Sequence, residues 1–99
     1  NHRGESISSR PLSASEPVSG QMTLVAWNYT LTGPTPAGLR VRLCSLNRCA
    51  EIEGQRGTTQ AFNGVSAQEP LRFIWEVPGG GRLIPALKVQ RNEVLVNYR

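Results

Sequence analysis

The sequence predicts an all-β domain, a small sandwich or barrel of antiparallel strands, and three observations predict it. No window of the 99 residues carries an apolar period of 3.6 over helical length. Roughly six to eight short segments rich in β-branched and aromatic residues recur at a spacing of about 8–12 residues, divided by Gly- and Pro-rich breaks. Two cysteines, Cys44 and Cys49, stand at the facing ends of two alternating segments. At this length the chain is one domain, residues 1–99, and folding buries a little over about 60% of its extended surface.

Residues 1–20 hold six Ser, two Pro and two Gly, and read as irregular and partly extended, with a short edge strand near 5–9. The core is expected over 21–99. Met22–Leu31 (MTLVAWNYTL) is the first long strand. Its alternation puts Val25, Trp27, Tyr29 and Leu31 on one face with Thr23, and Met22, Leu24 and Ala26 on the other. Because both faces are fairly apolar, the strand is expected at the centre of a sheet. Residues 32–38, with two Pro and two Gly, forbid a regular element.

Residues 39–45 alternate with Leu39, Val41 and Leu43 inward and Arg40, Arg42 and Cys44 outward, and residues 49–53 turn Ala50 and Ile52 inward. Residues 58–62 form a further candidate strand. In 71–77, Leu71, Phe73, Trp75 and Val77 share a face. Pro78, Gly79, Gly80 and Gly81 are expected to reverse the chain as a hairpin connection. Residues 83–89 and 94–98 close the sequence, with Gln90 to Glu93 as the turn between them and Pro85 marking an edge or a bulge.

The stretch from Cys44 to Cys49 is the most informative. If the cysteines face each other across an antiparallel hairpin, Arg42 falls opposite Glu51 and Arg40 opposite Glu53, while Leu43 meets Ala50 and Val41 meets Ile52. One register satisfies two opposite-charge pairs and two apolar pairs, and a slip of one residue scrambles them all. Directly opposed residues at a non-hydrogen-bonded site lie close enough for a disulfide. A zinc site wants four ligands, whereas the chain offers two Cys and His2. A redox motif would be C-x-x-C before a helix. A structural disulfide in turn implies an oxidising compartment: periplasm, extracellular space or endoplasmic reticulum.

Catalytic chemistry is poorly provided for. His2 is the only histidine, beside a polar terminus, and all seven acids are Glu. Glu51 and Glu53 are assigned to the hairpin arginines, and nothing brings Glu69 to Glu76 as a glycosidase pair. The run from Pro78 to Arg82 lacks the Lys-Ser/Thr ending of a phosphate loop. The formal charge is +4, carried by ten Arg and Lys88, but these are scattered along the chain. Trp27 and Trp75 sit in apolar alternation that reads as core, so a nucleic-acid platform is not expected. No cofactor is expected. No segment reaches the about 20 apolar residues a membrane span needs, so no membrane insertion is expected. The sequon from Asn28 to Thr30 lies inside a strand.

Three stretches are then familiar as a set: MTLVAW at 22–27, GPTPAGLRVRLC at 33–44 and PLRFIWEVPGGGRLIP at 70–85, joined by VNYR at 96–99. Together they resemble the FlhE family of enterobacterial flagellar operons, over nearly the whole chain. The resemblance implies an antiparallel β-sandwich like that of periplasmic pilus chaperones, immunoglobulin-like in kind. It implies a non-enzymatic periplasmic protein, accessory to the flagellar type III export and rod apparatus, that helps to limit proton leakage through it. Family precursors carry a signal peptide and a short segment before the position of Asn1. Without that segment a strand edge is expected to be open to a second copy. Flagellar rod, export or motor proteins are the implied partners, bound by strand addition or through loops. Leu46 and Arg48 at the hairpin tip, and Pro78, Gly79, Gly80, Gly81 and Arg82, are the candidate contacts. Two other roles are carried alongside: a chaperone-like holder of flagellar subunits, and a domain for periplasmic polyanion or glycan.

Overall fold

The computed structural model describes residues 3–83 and 86–99, which contain seven strands and no helix. They are β1 (Ser6–Ser8), β2 (Met22–Leu31), β3 (Arg40–Cys44), β4 (Cys49–Ile52), β5 (Arg56–Thr59), β6 (Arg72–Glu76) and β7 (Val89–Tyr98). One sheet has the order β1-β6-β3-β4 and the other β5-β2-β7. Every pairing is antiparallel. The two sheets bury one core between them, so the fold is an antiparallel sandwich.

The core is built by period-two alternation. Val25, Trp27, Tyr29 and Leu31 of β2 are buried against Val41 and Leu43 of β3 and the run Leu71, Phe73, Trp75, Val77 along β6. Tyr29 joins the sheets. Its ring meets Phe73 edge-on at 5.8 Å and Trp75 edge-on at 5.5 Å, while Phe73 and Trp75 stack at 5.3 Å and Trp27 stacks on Tyr29 at 6.4 Å. Such pairs contribute about 0.5–1.5 kcal/mol each beyond their buried area. Burial also pushes the Tyr29 phenol above its ordinary value of 10.0.

The hairpin pairs in the expected register: Val41 with Ile52, Arg42 with Glu51, Leu43 with Ala50 and Cys44 with Cys49. The cysteines are disulfide-bonded with their Cα atoms 4.0 Å apart. Two details differ from the sequence reading. β4 ends at Ile52, so Glu53 lies beyond the ladder, and Arg40 instead forms its ion pair diagonally with Glu51. Cys44 faces outward by alternation yet is buried, because Pro70, Leu71 and Arg72 pass beside the disulfide.

The larger differences lie in the second sheet. Residues 90–93 are not a turn: β7 runs unbroken from Val89 to Tyr98 against β2. Two irregularities explain why its pattern misleads. The register shifts between Thr30 and Leu31, where β7 has one residue more, so Val89 shares its half-buried face with Asn92, Val94 and Val96. It shifts again between Met22 and Val25, where β2 has the extra residue. That bulge turns Met22 onto the core face, fully buried, against the alternation that placed it opposite Val25. Asn97 Nδ2 donates to Leu24 O at the bulge, 3.0 Å away.

The expected strand at 58–62 begins and ends earlier, as β5. Phe62 sits in the turn that follows and plugs the core from there. The expected strand at 83–89 is not formed by its described residues: Leu83 and Leu87 are buried from irregular backbone, and Val89 already belongs to β7. Pro85 lies outside the described residues, as does His2. The loop after β6 therefore leads from one sheet to the other and is no hairpin connection.

The N-terminal segment runs along β6. Ser9 N donates to Phe73 O (2.9 Å), and Leu12 and Leu71 exchange backbone bonds of 2.7 and 2.9 Å. It then crosses to the second sheet at Gly20, whose φ of +110° and closeness to the chain end admit no side chain: a Cβ there would stand 2.5 Å from Arg99 O.

Candidate partner-binding surface

Which way β7 turns its backbone groups is fixed by β2. Tyr29 N donates to Gln55 O on the β5 side, so from Val25 to Thr30 the odd residues of β2 bond toward β5 and the even ones toward β7. Hence Arg91, Glu93 and Leu95 are bonded to β2, while Asn92, Val94 and Val96 point their N–H and C=O away from it. β7 is the edge of its sheet, and no described residue pairs with that outer side.

Beside this edge lies a groove of about 490 Å³. Pro11, Leu12 and Val18 of the N-terminal segment line it, together with Val94, Leu95, Val96 and Tyr98 of β7. It is the seam where the open side of one sheet faces the open side of the other, which is why Leu12, Val94 and Val96 are only partly buried although they pack on the core. Leu95 and Tyr98 are exposed, and so is Leu46, which lines an adjoining groove that shares Pro11. These three are the exposed large hydrophobic side chains among the described residues. The charged side chains lining the main groove are both acidic, Glu69 and Glu93. Glu69 Oε1 accepts from Leu46 N and Glu93 Oε1 from Asn28 Nδ2, each at 2.8 Å, so each carboxylate keeps acceptor capacity.

The contacts expected from the sequence fall in two separate places. The hairpin tip stands at the Cys44 end of β3 and the run from Pro78 to Arg82 beyond its Arg40 end, because Cys44 pairs with Arg72 and Arg40 with Glu76. Leu46 is free to touch a partner. The Arg48 guanidinium is engaged, with Nη1 donating to Ala61 O at 2.9 Å and Asn63 O at 3.3 Å, which pins the tip to the turn that carries Phe62. Gly79, Gly80, Gly81 and Arg82 are exposed, as is Pro78. Residues at the start of the chain fasten this loop, Gly4 N donating to Val77 O (2.7 Å) and Arg3 N to Gly81 O (2.9 Å).

The β7 edge was not singled out by sequence. Its signal was the pairing of exposed Leu95 and Tyr98 with half-apolar Val94 and Val96, in a strand whose polar half reads as a turn.

Glu76 is the last residue of β6 and Glu69 lies before its start, so the rise of about 13 Å from Arg72 to Glu76 lies between them along the chain. Glu69 Oε1 accepts from Leu46 N at the Cys44 end of β3 while Glu76 pairs with Arg40 at the other end, so the fold does not bring the two together as a glycosidase pair. Among the described residues no three His, Cys, Asp or Glu are grouped to hold a metal, and no helix is long and apolar enough to cross a membrane.

Comparison with known proteins agrees with the sequence resemblance. The family described as flagellar protein FlhE matches residues 1–99. The flagellar protein FlhE of Escherichia coli K12 is 77% identical over 99 residues, covering all of this chain and 76% of that protein. Its counterpart in Salmonella typhimurium LT2 is 73% identical with the same coverage. A crystal structure of FlhE superposes with a TM-score of 0.98 at 73% identity, over the full chain here and 86% of that one.

Proposed function

Because the chain belongs to the FlhE family of flagellar proteins, we propose that it is a non-enzymatic accessory protein that works in the periplasm by binding proteins of the flagellar rod and export apparatus, and so helps to limit proton leakage through it. The observation that carries the binding role is the gathering of Leu46, Leu95 and Tyr98 at two grooves that share Pro11. A monomer that needed no partner would gain by making these positions polar. The disulfide supports the compartment, since such a bond persists where glutathione does not reduce it.

The unpaired β7 edge favours a second reading, a chaperone-like holder of flagellar subunits, because an open edge takes up extended chain. The test of both is cross-linking in the periplasm of flagellated cells, followed by capture and mass spectrometry. Rod, export-gate or motor components are the expected yield. Recovery of unassembled subunits alone selects the holder role. A folded, abundant protein that yields no flagellar component refutes the proposal.

A further inference from the structure

We propose that the free edge of β7 accepts an extended segment of a partner protein as an added strand, with apolar side chains at alternate positions seated in the groove and Lys or Arg flanking them against Glu69 and Glu93. This deepens the binding role proposed above and rests on it.

Three features converge on this occupant. The first is the backbone. Asn92, Val94 and Val96 present, in a row, donors and acceptors that no described residue takes up, on one of the two longest strands among the described residues. The second is the groove beside them. Leu12, Val94 and Val96 face the core yet stay half open, so the sandwich is incompletely closed along this seam. A strand hydrogen-bonded to β7 points every second side chain into that seam, which demands an apolar residue at every second position. The third is charge. The chain carries +4 overall, but both charged side chains that line this groove are carboxylates with acceptor capacity to spare. Steering toward this seam therefore favours a basic flank, against the field of the rest of the surface. Two copies of the chain, each at +4, repel one another, which argues against a second copy as occupant.

The decisive experiment is an amide-resolved NMR titration of the protein with a soluble synthetic peptide of alternating Val and Thr, flanked by two Lys at each end. The Asn92, Val94 and Val96 amides are expected to shift and to exchange more slowly. A Glu-flanked peptide is expected to bind at least about tenfold more weakly, because like charges then meet at the seam. The double variant Glu69→Lys with Glu93→Lys is expected to reverse that preference. Absence of shifts at these amides, or equal binding of the two peptides, overturns the inference. So does concentration-dependent protection of the same amides without peptide, which would assign the edge to a second copy. In the captured complex, Val96→Pro removes an N–H that the β2–β7 ladder does not use. Capture that survives both this variant and the charge reversal overturns the inference and leaves the flagellar role standing. Failure of the unaltered protein to capture any flagellar component refutes the flagellar role, while the peptide titration still decides the inference.

Discussion

Replacing Gly57 by alanine tests how the second sheet is packed. Gly57 lies in β5 opposite Trp27 of β2, and the indole covers it. A Cβ at this position would stand 2.8 Å from Trp27 Cζ2 and 3.3 Å from Cε2. The ring cannot swing clear: it is buried, rigid and stacked on Tyr29, which is wedged against Phe73 and Trp75. Overpacking of this kind costs about 1–3 kcal/mol. Gly57 has no left-handed φ, so alanine adds no backbone strain and narrows the unfolded ensemble, offsetting about 0.4–1 kcal/mol. The net expectation is a loss centred on about 1.3 kcal/mol and no larger than about 2.6 kcal/mol, the central value being roughly 5–10 °C in Tm for a domain of this size. Urea and thermal unfolding of Gly57→Ala measure it. The same substitution in a Trp27→Leu background, where the ring is gone, is expected to be neutral or stabilising. A Tm for Gly57→Ala at or above that of the parent would refute the reasoning, as would an equal loss in both backgrounds.

Three other outcomes are expected. Reduction of the Cys44–Cys49 bond, or the Cys44→Ala, Cys49→Ala pair, removes a short loop constraint and lowers stability by about 2 kcal/mol, seen as a drop of about 10 °C; an unchanged melt under reductant would contradict this. The hydrogen bond from Arg40, and then its charge, hold the Glu51 carboxyl below the ordinary 4.5. The folded value is the lower one, so what the pair adds to stability is complete above the unfolded value and disappears as pH falls through the folded one. An NMR titration of Glu51 should show the depression, weakened by salt and abolished by Arg40→Ala; a midpoint at or above 4.5 would dismiss the pair. Arg48→Ala frees the hairpin tip from Ala61 and Asn63 and is expected to destabilise by about 1 kcal/mol, read by urea unfolding, with partner capture retained; lost capture at unchanged stability would return Arg48 to the contact surface.

How much of this was legible depends on how local the cause was. The register of the β3–β4 hairpin was legible because charge, apolarity and the disulfide all demand one pairing within twelve residues, although Arg40 takes Glu51 and not Glu53 as its partner. β6, and β2 from Val25 onward, were legible because a strand that buries one face on a core keeps strict alternation. β7 was not, since an edge strand is free to be polar along half its length, and Arg91, Asn92 and Glu93 have the composition of a turn. The bulges after Met22 and at Gln90 reverse the sense of alternation, and they arise from pairing between residues more than fifty positions apart. β5 was misplaced for a similar reason: Gly57 reads as a break until Trp27 is seen to lie over it. The groove was invisible because its two walls come from opposite ends of the chain, and only the sandwich sets them side by side.

The aromatic seam between the sheets also gives the protein a built-in optical gauge. Trp27 belongs to one sheet and Trp75 to the other, and both indole nitrogens are buried without a hydrogen-bond acceptor among the described residues. Their emission should lie toward the blue and shift red once the layers part. The β7 edge lies outside this seam, so a strand docking there would leave the colour of the tryptophan light almost unchanged. Fluorescence thus reports whether the layers are closed, and amide exchange reports whether the edge is occupied, in one sample without an added label.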